Sequence, residues 1–265
     1  MAGPAGFKQM ILSASQIVVF LLIFTRIAGL LGQAAFFSYK SIPNLARITI
    51  CFFVTLVLWS TVPVPKALPL EGLALVLAMG QEYLLGRLMG FVSFVIVQSI
   101  VSAGDMMGMT MGLSAANQFD PNLGLQVNIL GQLFDRTALM FFLVIDGHIM
   151  ILTALQRSFM VIPIFTPVNF IASMPHIIDL GVNMWELAVR LSAPVTLTIL
   201  LMNFALGTIS RVAPQVNVFQ LGFQVMPMLG LITVYLMVPL LVGNVVVIMG
   251  TIMEKGLVLL QYLRM

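Results

Sequence analysis

The chain carries little charge and almost no cysteine. Of its 265 residues, 8% are charged and 60% are hydrophobic, whereas about 25% of an average soluble domain is charged. This composition excludes an ordinary soluble domain and predicts an integral membrane protein. The single cysteine, Cys51, excludes an internal disulfide and a cysteine-based metal cluster. We therefore expect a buried thiol in apolar surroundings.

Reactive motifs are also missing. The two histidines, His148 and His176, are 28 residues apart, and the sequence has no H-E-x-x-H pair, G-x-S-x-G elbow or P-loop. Asp146 and His148 would point about 160° apart on a helix, so they do not form an acid–base pair on one face. We predict a protein that is not an enzyme, holds no metal or cofactor and binds no nucleic acid.

Long stretches without charge are present instead. They cover 9–25, 48–65, 88–104, 158–178, 191–210 and 212–253. Several approach the roughly 20 residues that cross a bilayer, and because prolines interrupt some of them we expect about four to six spans. The pattern of apolar residues, glycine and proline predicts helices near 7–37, 44–59, 70–102, 185–210 and 228–262.

Residues 122–162 contain no proline, and their polar side chains fall near one face of a helix. These are Asn128, Asp135, Asp146 and Arg157. A single helix over this stretch would reach about 60 Å, roughly twice the hydrocarbon thickness. We therefore expect either a helix that projects beyond the bilayer or a turn at Asp146-Gly147.

Several charges lie among apolar residues, where lipid would make them costly. They are Glu82, Arg87, Asp105, Asp135, Asp146 and Arg157. We expect these charges to be buried or to pair at interfaces between subunits. The alternative is that they mark the substrate or proton path of a transporter.

A segment rich in methionine and glycine is the most distinctive local feature. It contains Met106, Met107, Met109 and Met111 together with Gly104, Gly108 and Gly112. Methionine fits several shapes, and glycine at every fourth residue lets another helix approach closely. The pattern predicts a deformable contact zone, although ordinary core packing would also use these residues.

The connection near 211–227 reads RVAPQVNVFQLGFQVMP between two apolar stretches. It is too rich in proline, glycine, asparagine and glutamine for a regular helix, yet too apolar for a solvated loop. Such a backbone must be buried in protein or line a cavity. The flanking stretches predict a helical hairpin.

Two blocks of this sequence resemble the FliR-type export-gate proteins of bacterial flagellar type III secretion, which are related to SctT-type injectisome proteins. The first block is GDMMGMTMGLSAANQFDPNLG at 104–124, continued by GQLFDRTALMFFLVIDGHIMILTALQRSF at 131–159. The second and more specific block is RVAPQVNVFQLGF at 211–223. The family resemblance leads us to expect a proline shortly after Gly222-Phe223, but in this sequence the next proline comes later, at Pro227.

The resemblance implies an all-α chain of membrane-associated hairpins within a helical ring. Residues 1–180 would look like FliP, and 181–265 would form a FliQ-like hairpin with its linker at 211–227. The chain would be a structural subunit of the export gate, forming with FliP and FliQ the pore for unfolded flagellar proteins, with FlhB as a further partner. It would lie in the bacterial inner membrane, in contact with lipid, within the flagellar basal body. The competing hypothesis is a self-contained secondary transporter of small solutes.

The resemblance also implies roles for particular residues. A plug-like segment near 104–121, a loop or broken helix lining the pore, would contribute the constriction residues Met106, Met107, Met109, Met111 and Phe119. The glycines at 104, 108 and 112 would allow close packing. The linker would contact assembly partners through Arg211, Pro214, Gln215, Asn217, Phe219, Gly222 and Phe223.

Overall fold

The computed structural model describes residues 4–37, 42–62, 72–113 and 128–263. These residues form α1 (Pro4–Gln33), α2 (Asn44–Trp59), α3 (Gly72–Thr110), α4 (Ile129–Val144), α5 (Gly147–Val161), α6 (Phe170–Val212) and α7 (Val218–Leu263). No strand occurs in these stretches. The predicted all-α class is therefore confirmed.

Four helical segments are long and apolar enough to cross a membrane. They are Ser15–Gln33, Gly72–Thr110, Phe170–Val212 and Val218–Pro239, and α4 with α5 adds a fifth if the pair is one broken span. This count, made over the described residues, agrees with the expectation from the charge-free stretches. The chain is a membrane protein.

The described residues divide into two compact units. The first lies within Met1–Phe94, Asp146–Ile178 and Ile252–Met265, and the second within Val95–Ile145 and Asp179–Thr251. The predicted division at residue 180 concerns likeness to FliP and FliQ, which these two compact units do not test. It stays a prediction.

In the first unit, glycines let α1 and α3 approach closely. A Cβ added at Gly86 would collide with the carbonyl oxygen of Arg26, and one added at Gly90 would collide with that of Leu30. Small residues at such crossings allow backbone contact between apolar helices. Gly86 and Gly90 therefore allow close packing, whereas Gly80 faces open space.

Aromatic rings join α2 to α1. The ring of Phe20 lies 5.7 Å from that of Phe52 and 6.2 Å from that of Trp59, both edge to face, which is a favoured arrangement for aromatic pairs. Cys51 on α2 is buried and free, as predicted. The bounds of α2 also match the prediction, with Pro43 preceding its first residue.

The polar stretch after residue 128 is two helices, so a single long helix is excluded. Asn128 caps α4, and the helix stops at Val144. Asp146 then adopts a left-handed conformation with φ of 58°, and α5 begins at Gly147. The predicted break at Asp146-Gly147 is confirmed, but the two helices bend by 63° there and the chain does not turn back. The supposed common polar face is wrong, because Asn128 and Arg157 belong to different helical segments.

The two C-terminal helices begin earlier than the sequence predicted. The Asn169 side chain accepts a hydrogen bond from the Ala172 N–H at 3.1 Å, so α6 starts at Phe170 rather than near residue 185. Asn217 similarly accepts from the Gln220 N–H at 3.2 Å. A side chain that satisfies a free N–H in the first turn favours the start of a helix.

As a result, the irregular connection is limited to residues 213–217 rather than 211–227. Phe219, Gly222 and Phe223 lie on α7, which also contains Pro227 and Pro239. The composition of this stretch misled the prediction, because apolar helices accept proline when local adjustments satisfy the freed backbone groups.

Substitutions at Asp146 test the backbone constraint at the break. Asp146 is exposed and its side chain makes no capping hydrogen bond. We expect Asp146→Gly to keep or slightly raise the melting temperature, because glycine adopts positive φ freely. Asp146→Val should lower the free energy of unfolding by about 1–2 kcal/mol, because a β-branched side chain disfavours positive φ much more than aspartate does. Thermal unfolding in detergent measures both, and equal losses would contradict the constraint.

Candidate functional site

The methionine–glycine segment forms the last turns of α3 in the second unit. Residues 104–110 are helical, so the expected loop or broken helix is wrong over this range. The helix ends at Thr110, and Gly112 follows it with φ of 77° and an N–H that donates to the Met109 carbonyl at 3.1 Å. A left-handed glycine is a common way to end a helix. Phe119 lies outside the described residues.

The helix separates the four methionines into two pairs. Met107 and Met111 are buried, with 0% and 1% of their surface exposed, whereas Met109 is 67% exposed and Met106 is intermediate. Met111 also fills the space beside Gly230 of α7. Of these four methionines, Met106 and Met109 are therefore the accessible pair.

The accessible methionines line an open apolar cleft of about 730 Å³ between α3 and α6. Thr110 and Ser192 contribute hydroxyl groups to its walls, but each hydroxyl donates to a carbonyl of its own helix, at 2.9 and 3.1 Å. Ser192 Oγ also lies 3.7 Å from the Met106 sulfur. The cleft therefore presents soft, apolar walls rather than a polar recognition site.

The glycines of the segment face α4. A Cβ at Gly104 would lie 2.7 Å from the Cβ of Phe134, and one at Gly108 would collide with the carboxamide of Asn128. Gly112 differs, because nothing lies near a Cβ placed there and its positive φ is what requires glycine. Gly104 and Gly108 thus pack α3 against α4 within one chain.

Two predicted charges also meet between these helices. The carboxylates of Asp105 on α3 and Asp135 on α4 are close enough to repel each other. Asp105 Oδ1 occupies the space where Gly131 of α4 lacks a side chain. The structure therefore brings the acidic residues to the same helix contact as the glycines.

In the first unit, Glu82 forms a buried ion pair with Arg26. Arg26 Nε lies 2.5 Å from Glu82 Oε2, and both side chains are 1% exposed. The guanidinium also stacks over the Phe159 ring, 4.4 Å from its centre, and Nη1 donates to Ser158 Oγ at 3.3 Å and to the Ile162 carbonyl at 3.0 Å. The pair joins α1 and α3 to the end of α5.

The same carboxylate holds the connection between α5 and α6. Glu82 Oε1 accepts from the Phe165 N–H at 3.2 Å, and the Gln81 side chain donates to the Thr166 carbonyl. Phe165 has φ of 63°, a conformation that costs free energy for a bulky residue unless its surroundings hold it. The ion pair therefore orders a strained connection.

Sequence reasoning selected Glu82 but not Arg26. The available signal was that Arg26 is the only charge between Lys8 and Lys40. A lone cation within an apolar helix needs an acceptor or an anionic partner. The structure provides that partner within the chain rather than at a subunit interface.

The remaining predicted charges are exposed on this chain. Arg87 donates to Gln33 Oε1 at 2.5 Å and to Tyr83 OH at 3.2 Å, whereas Asp146 and Arg157 lie on the surface. None of these residues joins the Arg26–Glu82 pair. Their predicted roles at interfaces stay predictions.

The predicted linker residues surround the connection between α6 and α7. Arg211, Pro214, Gln215, Asn217, Phe219 and Phe223 are exposed, and Gly222 is buried. The rings of Phe219 and Phe223 pack edge to face, 4.7 Å apart. This end of the second unit therefore presents an exposed aromatic pair beside the irregular connection. The predicted contact of the linker residues with assembly partners stays a prediction.

Comparison with known proteins connects these features to a family. A model described as bacterial export proteins, family 1, matches residues 17–252. The flagellar biosynthetic protein FliR of Bacillus subtilis (strain 168) is 31% identical over 210 residues, which cover 77% of this chain and 79% of that protein. The chain belongs to the FliR family. The resemblance inferred from the two sequence blocks is confirmed.

Other FliR proteins show similar coverage. FliR of Pectobacterium carotovorum subsp. carotovorum is 29% identical over 82% of this chain and 83% of its own length. FliR of Escherichia coli (strain K12) is 28% identical, over 82% of each chain. This FliR-family chain is a flagellar biosynthetic protein and a component of type III export.

A methyl group at Gly108 tests the contact between α3 and α4. We expect Gly108→Ala to destabilise the FliR-family chain by about 1–3 kcal/mol, because overpacking must displace Asn128 or the helix. Gly207→Ala on α6 is the matched control, since nothing lies near its Cβ position, and it should be neutral or gain up to about 1 kcal/mol. Denaturant unfolding in detergent compares the two, and similar effects would contradict the contact.

The contribution of the buried ion pair to stability can be measured by removing its carboxylate and, separately, the carboxylate of an exposed ion pair. Glu82→Ala leaves the buried Arg26 without its counter-charge and should cost about 3–5 kcal/mol. Glu186→Ala removes an exposed pair with Arg190, at 2.6 Å, and should cost less than about 1 kcal/mol. Unfolding of both variants gives the comparison, and a small loss for Glu82→Ala would show that the pair does not hold the unit together.

Proposed function

We propose that this chain is a structural subunit of the flagellar type III export gate in the bacterial inner membrane. With FliP and FliQ it forms the pore that passes unfolded flagellar proteins, and FlhB is a further partner at the basal body. The observation that carries this proposal is the end of α3, where Met106 and Met109 line an apolar cleft. Flexible, polarizable side chains suit contact with chains of varied sequence.

The chemistry of the described residues supports a passive role. No group of three or more histidine, cysteine, aspartate or glutamate side chains within them is arranged to hold a metal ion. The Arg26–Glu82 pair is enclosed and binds the chain's own connection. Family membership, with several long apolar helices, supports a membrane export component rather than a catalyst.

Purification tests the proposed assembly. We expect the full chain, produced together with FliP and FliQ, to elute in one stable heteromeric particle containing all three. The proposal fails if the chain remains an intact monomer or a symmetric homo-oligomer that binds and transports a small solute without these partners. That result would favour the competing secondary transporter.

The accessible methionines can be tested within the assembled particle. We expect Met106→Ser together with Met109→Ser to raise ion conductance of the closed pore severalfold, because hydroxyl groups favour water where apolar walls exclude it. Deleting 106–111 would be less specific, since it removes the buried Met107 and Met111. Met140→Ser provides a matched control, because Met140 is 69% exposed but lies on α4. Unchanged conductance in the double variant would contradict a sealing role.

A further inference from the structure

Asn128 connects α4 to the methionine-bearing end of α3. It is 9% exposed, and its Nδ2 donates to the Asp105 carbonyl at 2.8 Å and to the Gly104 carbonyl at 3.5 Å. Its Oδ1 accepts from the Leu130 N–H at 3.1 Å. One carboxamide therefore caps α4 and binds the backbone of α3, two roles that can be separated chemically.

The fit of this carboxamide depends on glycine. A Cβ at Gly108 would collide with Oδ1, Nδ2 and Cγ of Asn128. One turn earlier, Gly104 leaves the space that Phe134 fills. The face of α3 that carries Gly104 and Gly108 therefore fits α4 in shape, and it is also the face whose backbone accepts the hydrogen bonds of Asn128.

Helix geometry connects this face to the methionines. At about 100° per residue, Met111 lies about 60° from Gly108 and Met107 about 100° away on the same side. Met109 lies about 100° away on the opposite side, and Met106 lies nearly opposite Gly108. This arrangement matches the burial of Met107 and Met111 and the exposure of Met109.

We propose that Asn128 is a positioning residue that fixes the rotation of the α3 end, and thereby selects which methionines are accessible. The hydrogen bonds to α3, rather than the cap of α4, perform this task. The inference deepens the proposed function by naming the residue that orients the methionine face. The orientation itself can be measured without any assumption about export.

Cysteine labelling measures that orientation in the full chain in detergent. In a Cys51→Ala background, we introduce Met109→Cys or Met107→Cys and follow the rate of maleimide reaction. With Asn128 present, position 109 should react much faster than position 107. Asn128→Ser keeps a capping oxygen but loses the amide donor, and should raise the rate at position 107 about threefold to tenfold, as expected when one buried hydrogen bond is lost.

Asn169→Ser is the matched control. Asn169 caps α6 through its side chain and is exposed, so this variant should leave both labelling rates unchanged. Asn128→Asp is a second test variant if Asn128→Ser folds poorly, because it keeps size and the acceptor but removes the donor. The proposal is overturned if neither Asn128 variant changes the ratio of the two rates, or if Asn169→Ser changes it equally.

A suppressor experiment tests the contact directly. Gly108→Ala alone should change the labelling ratio, because its methyl group collides with the carboxamide. With Asn128→Ser, whose side chain is shorter, the added methyl group should have little further effect. Strictly additive effects would overturn the assigned contact, since residues that share a contact are expected to be coupled.

Conductance of the assembled particle then separates the two proposals. If Asn128→Ser changes both the labelling ratio and the closed-state conductance, orientation and sealing are linked. A changed ratio with unchanged conductance supports the positioning role and contradicts the proposed sealing by methionine. An unchanged ratio overturns the positioning role whatever the conductance, while purification with FliP and FliQ still tests the gate itself.

Discussion

Close approach of α3 to its neighbours is the contact on which both compact units depend. Between apolar helices in lipid, hydrophobic burial contributes little, so packing and hydrogen bonds must hold the helices together. Gly86 and Gly90 admit the backbone of α1, and Gly104 and Gly108 admit Phe134 and a side-chain amide beside α4. One helix thus uses two glycine pairs to build two cores.

Buried polar groups restrict how the helices can be oriented at these contacts. The Arg26–Glu82 pair joins two helices and the connection after α5, whereas Asn128 joins the start of α4 to backbone carbonyls of α3. A buried polar group is stable only with suitable partners, so each group restricts the arrangements that its helices can adopt. Apolar packing alone would be less selective.

The number of spans could be predicted because it follows from the lengths of the charge-free stretches, whereas the all-α class was implied by the family resemblance. The sequence also located the break at Asp146, where a turn-prone dipeptide interrupts a stretch without proline. It misplaced the ends of α3, α6 and α7, since capping by Asn169 and Asn217 and the accommodation of Pro227 depend on local geometry. The partner of Glu82 lies 56 residues away, and periodicity within one helix carries no information about such a pair.

The unequal burial of the methionines has a chemical consequence. Oxidation converts the thioether into a polar, chiral sulfoxide, and accessible sulfur atoms react most readily. Met109 would be attacked while Met107 and Met111 remain shielded by the fold. An oxidant would therefore make the outer surface of the α3 end polar while leaving its core intact, and reduction of the sulfoxide would restore the apolar surface.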